Sequence, residues 1–288
     1  MQFTAVEKKE NLSKEAFKDQ YLDPLKPVIF KDLSKDWVAR EKWTFDFFEK
    51  EYGDITVPIF DPDNYFRSGK HYMKSYFRLL FGDYLKLIQS TPTNLRLHIF
   101  QIMKEAPELT KDFETPEIMS DFLKKFPAMF FGGKGATLRL HYDLDCSHVF
   151  LTHFQTRKEI FLFPYEQRSF LYHLPYTVQA EVDIMNPDYR KYPALKNANG
   201  YHAILEHGET LFIPRRYWHC VHYCEPGFSL SVRSNDSIRY TLLGLWNIGR
   251  HFIIDKGMNQ FFGERWLAWK SKRAFEKANK WKLKSNVA

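Results

Sequence analysis

Two histidines and an aspartate have the types and spacing of a metal site. His141 and Asp143 are separated by one residue. On a β-strand, residues i and i+2 project to the same side, so an imidazole and a carboxylate would converge on one point. A third ligand from a distant strand would complete a two-histidine, one-carboxylate set, which leaves open positions on a non-haem Fe(II). His219 is the natural third ligand. It ends the run Gly208-Glu209-Thr210-Leu211-Phe212-Ile213-Pro214-Arg215-Arg216-Tyr217-Trp218-His219, which reads as a turn, a buried strand, a proline corner and a return strand. The long interval from Asp143 to His219 leaves room for several strands between them.

The elements that must position these residues are short and turn-bounded. After Pro127 come apolar runs at 128–131, 137–141, 149–154, 159–163, 203–205, 210–213, 219–223 and 228–232. Turn signals separate them, among them Gly132-Gly133, residues 197–200, His207-Gly208-Glu209 and Pro226-Gly227. Such spacing predicts a β-sandwich or barrel. Before it, residues 10–25 read as a short helix and loop, and Pro27-Val28-Ile29-Phe30 as a buried strand. Residues 43–52 read as a helix with Thr44 as N-cap and Gly53 past its end. Residues 55–60 and 95–102 read as strands, 76–89 and 115–125 as helices, with a stop at Asp61-Pro62-Asp63-Asn64. The chain turns helical again from Ile238. The expected fold is therefore mainly β: one domain over 1–288, with a helical and strand segment at 1–127, a β core at 128–236 and helices at 237–288.

Composition sets the outer bounds. The 288 residues are 44% hydrophobic and 27% charged, which excludes a disordered chain. No apolar run is long enough for a transmembrane helix, and the polar N-terminus lacks a secretory signal's apolar stretch. Three cysteines without a CxxC pair fit a reducing compartment, and a cytoplasmic location is expected. The net charge is +7. Residues 264–288 hold eight basic and two acidic side chains, so nearly all of that charge sits in the tail. Leu267, Ala274, Ala278 and Trp281 share one helical face there. This reads as an amphipathic helix docked on its own domain or on a second copy, rather than as a nucleic-acid or membrane contact.

The stretch from Met129 to Asn235 resembles the cupin-type, JmjC-related Fe(II)/2-oxoglutarate oxygenases. The residues that carry this are His141-Tyr142-Asp143, the Gly-Glu-Thr-Leu-Phe-Ile-Pro run ending at His219, Phe161-Leu162-Phe163-Pro164, Val182-Asp183, and Asn186-Pro187-Asp188-Tyr189 to Tyr192-Pro193. Within that family the likeness is greatest to the asparaginyl hydroxylase that acts on hypoxia-inducible factor. The resemblance implies a double-stranded β-helix, a jelly roll, with Fe(II) on His141, Asp143 and His219. It implies 2-oxoglutarate as cosubstrate, with Lys158 on its distal carboxylate, and O2 as co-reactant. A lysine suits that role because the far carboxylate of a chelated dianion needs a cation away from the metal. The implied reaction hydroxylates a C–H bond and releases succinate and CO2. A protein or peptide side chain is the expected substrate, with a small amino acid-like molecule next. The other readings are a cupin metalloenzyme that does not use 2-oxoglutarate, and a cupin binding module without turnover. A homodimer through the C-terminal helices is also implied; a nucleic-acid or membrane partner is not.

The supporting polar residues depart from the family pattern. Leu138 stands where the family carries Ser or Thr, with Thr137 one residue off. Arg233 stands at a late Asn and His98 at a Tyr, so Thr137, Arg233 and His98 are the candidate further contacts to the cosubstrate. Cys220, His222 and Cys224 alternate along one strand face. Three such residues fall short of a four-ligand zinc site and read as buried thiols and a satisfied histidine. His148 and His153 read as core positions.

Overall fold

Short apolar strands that are buried on both faces need a layer of structure on each side. The computed structural model describes residues 1–61, 75, 77–123 and 127–285, the last five as backbone only. In chain order its main elements are β1 (Gln2–Ala5), β2 (Glu7–Lys9), α1 (Lys14–Phe17), β3 (Val28–Phe30), α2 (Ala39–Lys42), α3 (Phe45–Tyr52), β4 (Thr56–Ile59), β5 (Phe77–Leu80), α4 (Phe81–Ser90), β6 (Arg96–Phe100), β7 (Ala128–Gly132), β8 (Thr137–His141), β9 (His148–Phe154), β10 (Lys158–Phe163), β11 (Asn199–Leu205), β12 (Thr210–Ile213), β13 (Trp218–Tyr223), β14 (Gly227–Ser234), α5 (Ile238–Arg250) and α6 (Lys256–Ser285).

Strands β7 to β14 divide between two antiparallel four-stranded sheets, β12-β9-β14-β7 and β11-β10-β13-β8. The chain crosses between the sheets from β7 to β10 and again from β11 to β14. This is the jelly roll expected from the turn-separated runs. The first sheet is widened by β2 and β3 on one edge and β6 on the other, and the second by β1 alongside β11. A separate hairpin joins β4 and β5.

Alternation along the strands sends side chains into three cores. In β9, Phe150 and Phe154 face the helices outside the larger sheet, where they join Phe17, Trp43, Phe48, Phe81 and Phe131. Val149 and Leu151 face between the sheets, with Ile160, Leu162, Leu211 and Val221. Outside the smaller sheet, Leu140, Trp218 and Cys220 pack under the 164–198 crossover and under Ala274 and Ala278 of α6. The outer helices are locally encoded. Thr44 Oγ1 accepts the Phe47 N–H at 3.0 Å, and Phe45 and Phe48 lie on the buried face of α3.

Several expectations need correction. The helix expected at 76–89 begins only at Phe81, because Phe77–Leu80 pairs with β4. The helix expected at 115–125 is absent over the described part of that range. There the backbone serves the sheet: Leu123 N–H donates to Arg233 O at 2.7 Å, and Ser234 Oγ donates to Ser120 O at 2.7 Å. The buried stripe of α6 runs Trp266, Lys270, Ala274 and Ala278, with Leu267 only half-buried. Gly263 breaks that helix at φ 47° and resets its face. Residues 62–64, Tyr76, residues 124–125 and the Trp281 side chain lie outside the description. No helix among the described residues is long and apolar enough to cross a membrane.

Candidate metal centre

The site is built on the paired ends of β8 and β13. His219 stands directly opposite His141, and the register then slips, so that Val221 faces Leu138. Strand β8 therefore carries one extra residue, a bulge. Without it, His141 would point away from Leu138, and the bulge brings both to the inner face. The two imidazole centroids lie 4.2 Å apart. Asp143 follows just past β8, and ligand atoms of His141, Asp143 and His219 all lie within 4.8 Å of one another. Among the described residues, no other group of His, Cys, Asp and Glu is placed to hold a metal.

Hydrogen bonding tunes this group for a cation. His141 Nδ1 lies 2.9 Å from Arg139 O, and His219 Nδ1 lies 3.0 Å from Tyr217 O. Each carbonyl can only accept, so each Nδ1 carries the proton and each Nε2 keeps its lone pair. Burial, then the neighbouring His219, pushes the His141 pKa down to about 3, so this ring is neutral. Burial works to raise the Asp143 pKa, but Arg233 with the two imidazoles holds its carboxyl below the ordinary range. Arg233 Nη1 donates to Asp143 Oδ2 at 2.9 Å, leaving Oδ1 for a metal. Two lone pairs and one oxygen on one side of a cleft fit a divalent ion with open positions.

The loop after Asp143 is fixed from behind. A Cβ on Gly244 of α5 would meet Asp145 O at 2.3 Å, so only glycine allows this approach. Asn247 on the next turn donates to Cys146 Sγ at 3.2 Å and to Leu144 O at 3.4 Å.

Lys158 opens β10, opposite Tyr223, four residues along β13 from His219. It is 1% exposed. Its Nζ lies 4.4 Å from the centre of the Tyr223 ring and 3.4 Å from the Tyr223 hydroxyl. Among the described residues no carboxylate lies within ion-pairing distance of it, and burial pushes its pKa down to about 7. A buried ammonium without a counter-charge, inside the sandwich that carries the triad, would suit an anion.

The structure does not bring the other candidate contacts to one place. Thr137 is on the outer face of β8, where its hydroxyl lies 2.9 Å from His222 Nδ1. The bulge puts Leu138 inward instead. This corrects the expectation for Thr137 and also satisfies His222, as expected of a structural histidine. Arg233 faces inward from β14, but its Nη1 is held by Asp143, Asp145 and Ser147, so its ion pairs go to the triad's carboxylate. His98 is packed at 3.9 Å against the Phe60 ring. Burial lowers its pKa to about 3, so it carries no charge to offer a carboxylate. His148 and His153 are fully buried core residues. Sequence reasoning missed Arg96 and Tyr223, which line the same interior. The signal available for Arg96 was a charge inside an otherwise apolar strand.

Comparison with known proteins agrees with this geometry. A family model described as a cupin-like domain matches residues 14–235. Lysine-specific demethylase 8 of Xenopus tropicalis is 27% identical over 237 residues, covering 79% of this chain and 52% of that protein. Lysine-specific demethylase JMJ30 of Arabidopsis thaliana is 29% identical over 242 residues, covering 78% and 54%. tRNA wybutosine-synthesizing protein 5 of Gallus gallus is 28% identical over 243 residues, covering 77% and 74%. The chain thus spans about half the length of the two demethylases. The matched residues run from α1 through the whole jelly roll and include the triad and Lys158, and on that ground the chain belongs to the cupin-like domain family, among JmjC-type relatives.

Proposed function

We propose that this protein is an Fe(II)- and 2-oxoglutarate-dependent oxygenase, with metal on His141, Asp143 and His219 and the distal carboxylate of the keto acid on Lys158. The observation that carries this is the acid-free ammonium of Lys158, buried between the same two sheets whose rim holds the triad. When bound, the iron would supply O2 activation, coupled to oxidative decarboxylation of the keto acid to succinate and CO2 and to oxidation of a substrate C–H bond. The chain's own part is positional. Backbone carbonyls orient both imidazoles, Arg233 orients the carboxylate, and apolar neighbours such as Leu138 and Val221 keep water from the keto acid.

The preferred reaction is hydroxylation of a protein or peptide side chain, as the likeness to the asparaginyl hydroxylase suggests. Relatives named as demethylases are compatible with it, since hydroxylating an N-methyl group gives a carbinolamine that loses formaldehyde. Anaerobic loading with Fe(II) and then 2-oxoglutarate tests the site. Wild type should develop a weak visible charge-transfer band, and Asp143→Ala should not. Bound metal without a band in wild type would sink the proposal.

The C-terminal helices support a homodimer. Ile238 (81% exposed), Leu242, Leu245, Trp246, Ile253 and Phe261 stand open to solvent, an apolar surface larger than isolated surface residues explain. Sedimentation should give a dimer at micromolar concentration, and the double variant L242E/W246E should be monomeric. A monomeric wild type would end this part of the reading.

A further inference from the structure

We propose that Arg168 and Arg216, both packed on Tyr165, form an exosite that holds an acidic side chain of the peptide substrate on the flank of the metal centre; this rests on the oxygenase reading above and on its peptide substrate. The site begins in the tight turn between β12 and β13. There Tyr217 N–H donates to Pro214 O at 3.1 Å, and Arg216 takes φ 63°. Such a turn favours glycine at that position, so an arginine is held there against its backbone preference. Its guanidinium carbon lies 3.5 Å from the centre of the Tyr165 ring. Arg168, from the helical turn Tyr165–Ser169, lies 4.9 Å from the same centre.

Tyr165 packs in turn on Tyr142, with ring centroids 5.5 Å apart, and Tyr142 stands between the ligands His141 and Asp143. The Tyr142 ring points away from the triad into the outer core, so the arginines lie on the outer flank of the rim. Arg250, the last residue of α5, joins them. Burial raises the Tyr142 pKa, and the charges of Arg250 and Arg216 both oppose the rise. Burial lowers the His173 pKa to about 4, and Lys277, Arg250 and Arg168 push the same way. The Tyr142 and His173 rings are 5.9 Å apart, so three arginines gather around one aromatic cluster.

None of the three has an acid. Among the described residues no carboxylate lies within ion-pairing distance of Arg168, Arg216 or Arg250. The adjacent Arg215 is the contrast: it is paired with Asp236 and packed on Tyr240. Asp145, on the loop past the triad, is held by Arg233. Packing on a ring needs one cation, and like charges gathered on shared rings repel. Arg168 is exposed and Arg216 half-buried, so a partner can reach their unused N–H donors.

The chemistry selects an oxyanion on a protein chain. A guanidinium packed on a ring keeps an edge of paired N–H groups, which matches a carboxylate or a phosphorylated serine. A nucleic acid would need a track of phosphate contacts and open ring faces for its bases. Here the cations converge on one point, and Tyr165 already carries Arg216 and Arg168. Arg216 precedes His219 by three residues, at most about 11 Å of chain. A peptide whose acid sits on Arg216 therefore reaches the rim of the triad within a few residues.

Fluorescence anisotropy at low salt tests this with labelled (Ser-Glu)4, (Ser-Gln)4 and a phosphoserine-glycine repeat of the same length. Mn(II)-loaded wild type should bind the acidic peptides and not (Ser-Gln)4, and the tighter of the two tells whether carboxylate or phosphoryl is read. Arg168→Gln/Arg216→Gln should weaken that binding about 10-fold or more. Lys104→Gln/Lys111→Gln removes the same charge from exposed turns outside the larger sheet and should change it less than about twofold. Equal losses in the two double variants, or a wild type that binds neither acidic peptide, would overturn the proposal. A uridine decamer that binds more tightly than either peptide and depends on the same arginines would overturn it in favour of RNA. Mn(II) at the triad should also broaden the proton resonances of the bound peptide. Binding without broadening would put the arginines off the path to the metal and overturn the proposal as well. If the double variant does not fold, Arg168→Gln is read alone, and unchanged affinity overturns it. A wild type that does not bind Mn(II) would overturn the oxygenase reading instead, while anisotropy on the metal-free protein still decides whether these arginines hold an acid.

Discussion

Lys158→Met should lose 2-oxoglutarate and gain stability in the same experiment. The ammonium is buried with a tyrosine as its nearest polar neighbour and no carboxylate at hand. Replacing it with an apolar side chain of similar length removes the desolvation cost and fills the same space. The variant should be more stable than wild type by about 1–3 kcal/mol near neutral pH, as for other functional groups held at a cost. Affinity of the metal-loaded protein for 2-oxoglutarate should fall at least about 100-fold, while metal binding is nearly unchanged. Chemical unfolding and calorimetry read the two halves. A less stable variant, or equal loss of metal and keto acid, would mean that Lys158 is a structural residue.

The pH dependence has a definite sign. Burial lowers the Lys158 pKa from 10.5 to about 7. The unfolded chain thus takes up a proton in a range where the folded one does not. The stability cost is absent above the unfolded value, grows as pH falls from 10.5 towards 7, and is constant below that. The advantage of the methionine variant should follow this course and vanish at high pH. For the wild type, the dianion needs the protonated lysine. Its affinity should be level below pH 7 and fall above it, and binding at pH 7 should take up roughly half a proton. Calorimetry in two buffers of different ionisation enthalpy measures that uptake directly.

The jelly roll was legible because its strands are cut by glycine and proline turns, and because Thr137–His141 and Thr210–Ile213 end where the turns say. The pairing of His141 with Asp143 was legible from their i, i+2 spacing, although β8 ends at His141 and Asp143 lies just past it. What alternation could not give was the bulge in β8. That single extra residue decides that Leu138 faces inward and Thr137 outward, and it reversed the expectation for Thr137. Arg96 was hidden because β6 is an edge strand with its own irregularity, including Ile99 at φ 54°, so its inward positions follow no clean period. β1 and β2 were missed because parallel edge strands bury little and carry polar residues. The segments at 77–80 and 115–123 have helix-compatible composition, but tertiary pairing claims their backbones. At the C-terminus the basic residues were visible, while Gly263 shifted which of them is buried. Lys270 is in the core on Asp255, at 2.7 Å.

Arg233→Met should unsettle the metal-free protein far more than the loaded one. Arg233 Nη1 lies 2.9 Å from Asp143 and 3.1 Å from Asp145, so one guanidinium is shared between two carboxylates. Removing it leaves them partly buried with no cation, and breaking such a pair costs about 3 kcal/mol or more. For a chain of this size that is a fall in Tm of roughly 6–12 °C. A divalent ion on His141, Asp143 and His219 would bring positive charge back to the same carboxylate through Oδ1, the oxygen that Arg233 leaves open. Saturating Mn(II) should therefore raise the Tm of the variant by more than it raises that of the wild type, and the gap between them should shrink by about half or more. Arg233→Lys, a single point charge, should fall between the two. Thermal unfolding with and without Mn(II) decides it. An equal gap in both conditions would mean that Arg233 acts through Asp145 and Ser147 on the loop alone, and not through the carboxylate assigned to the metal.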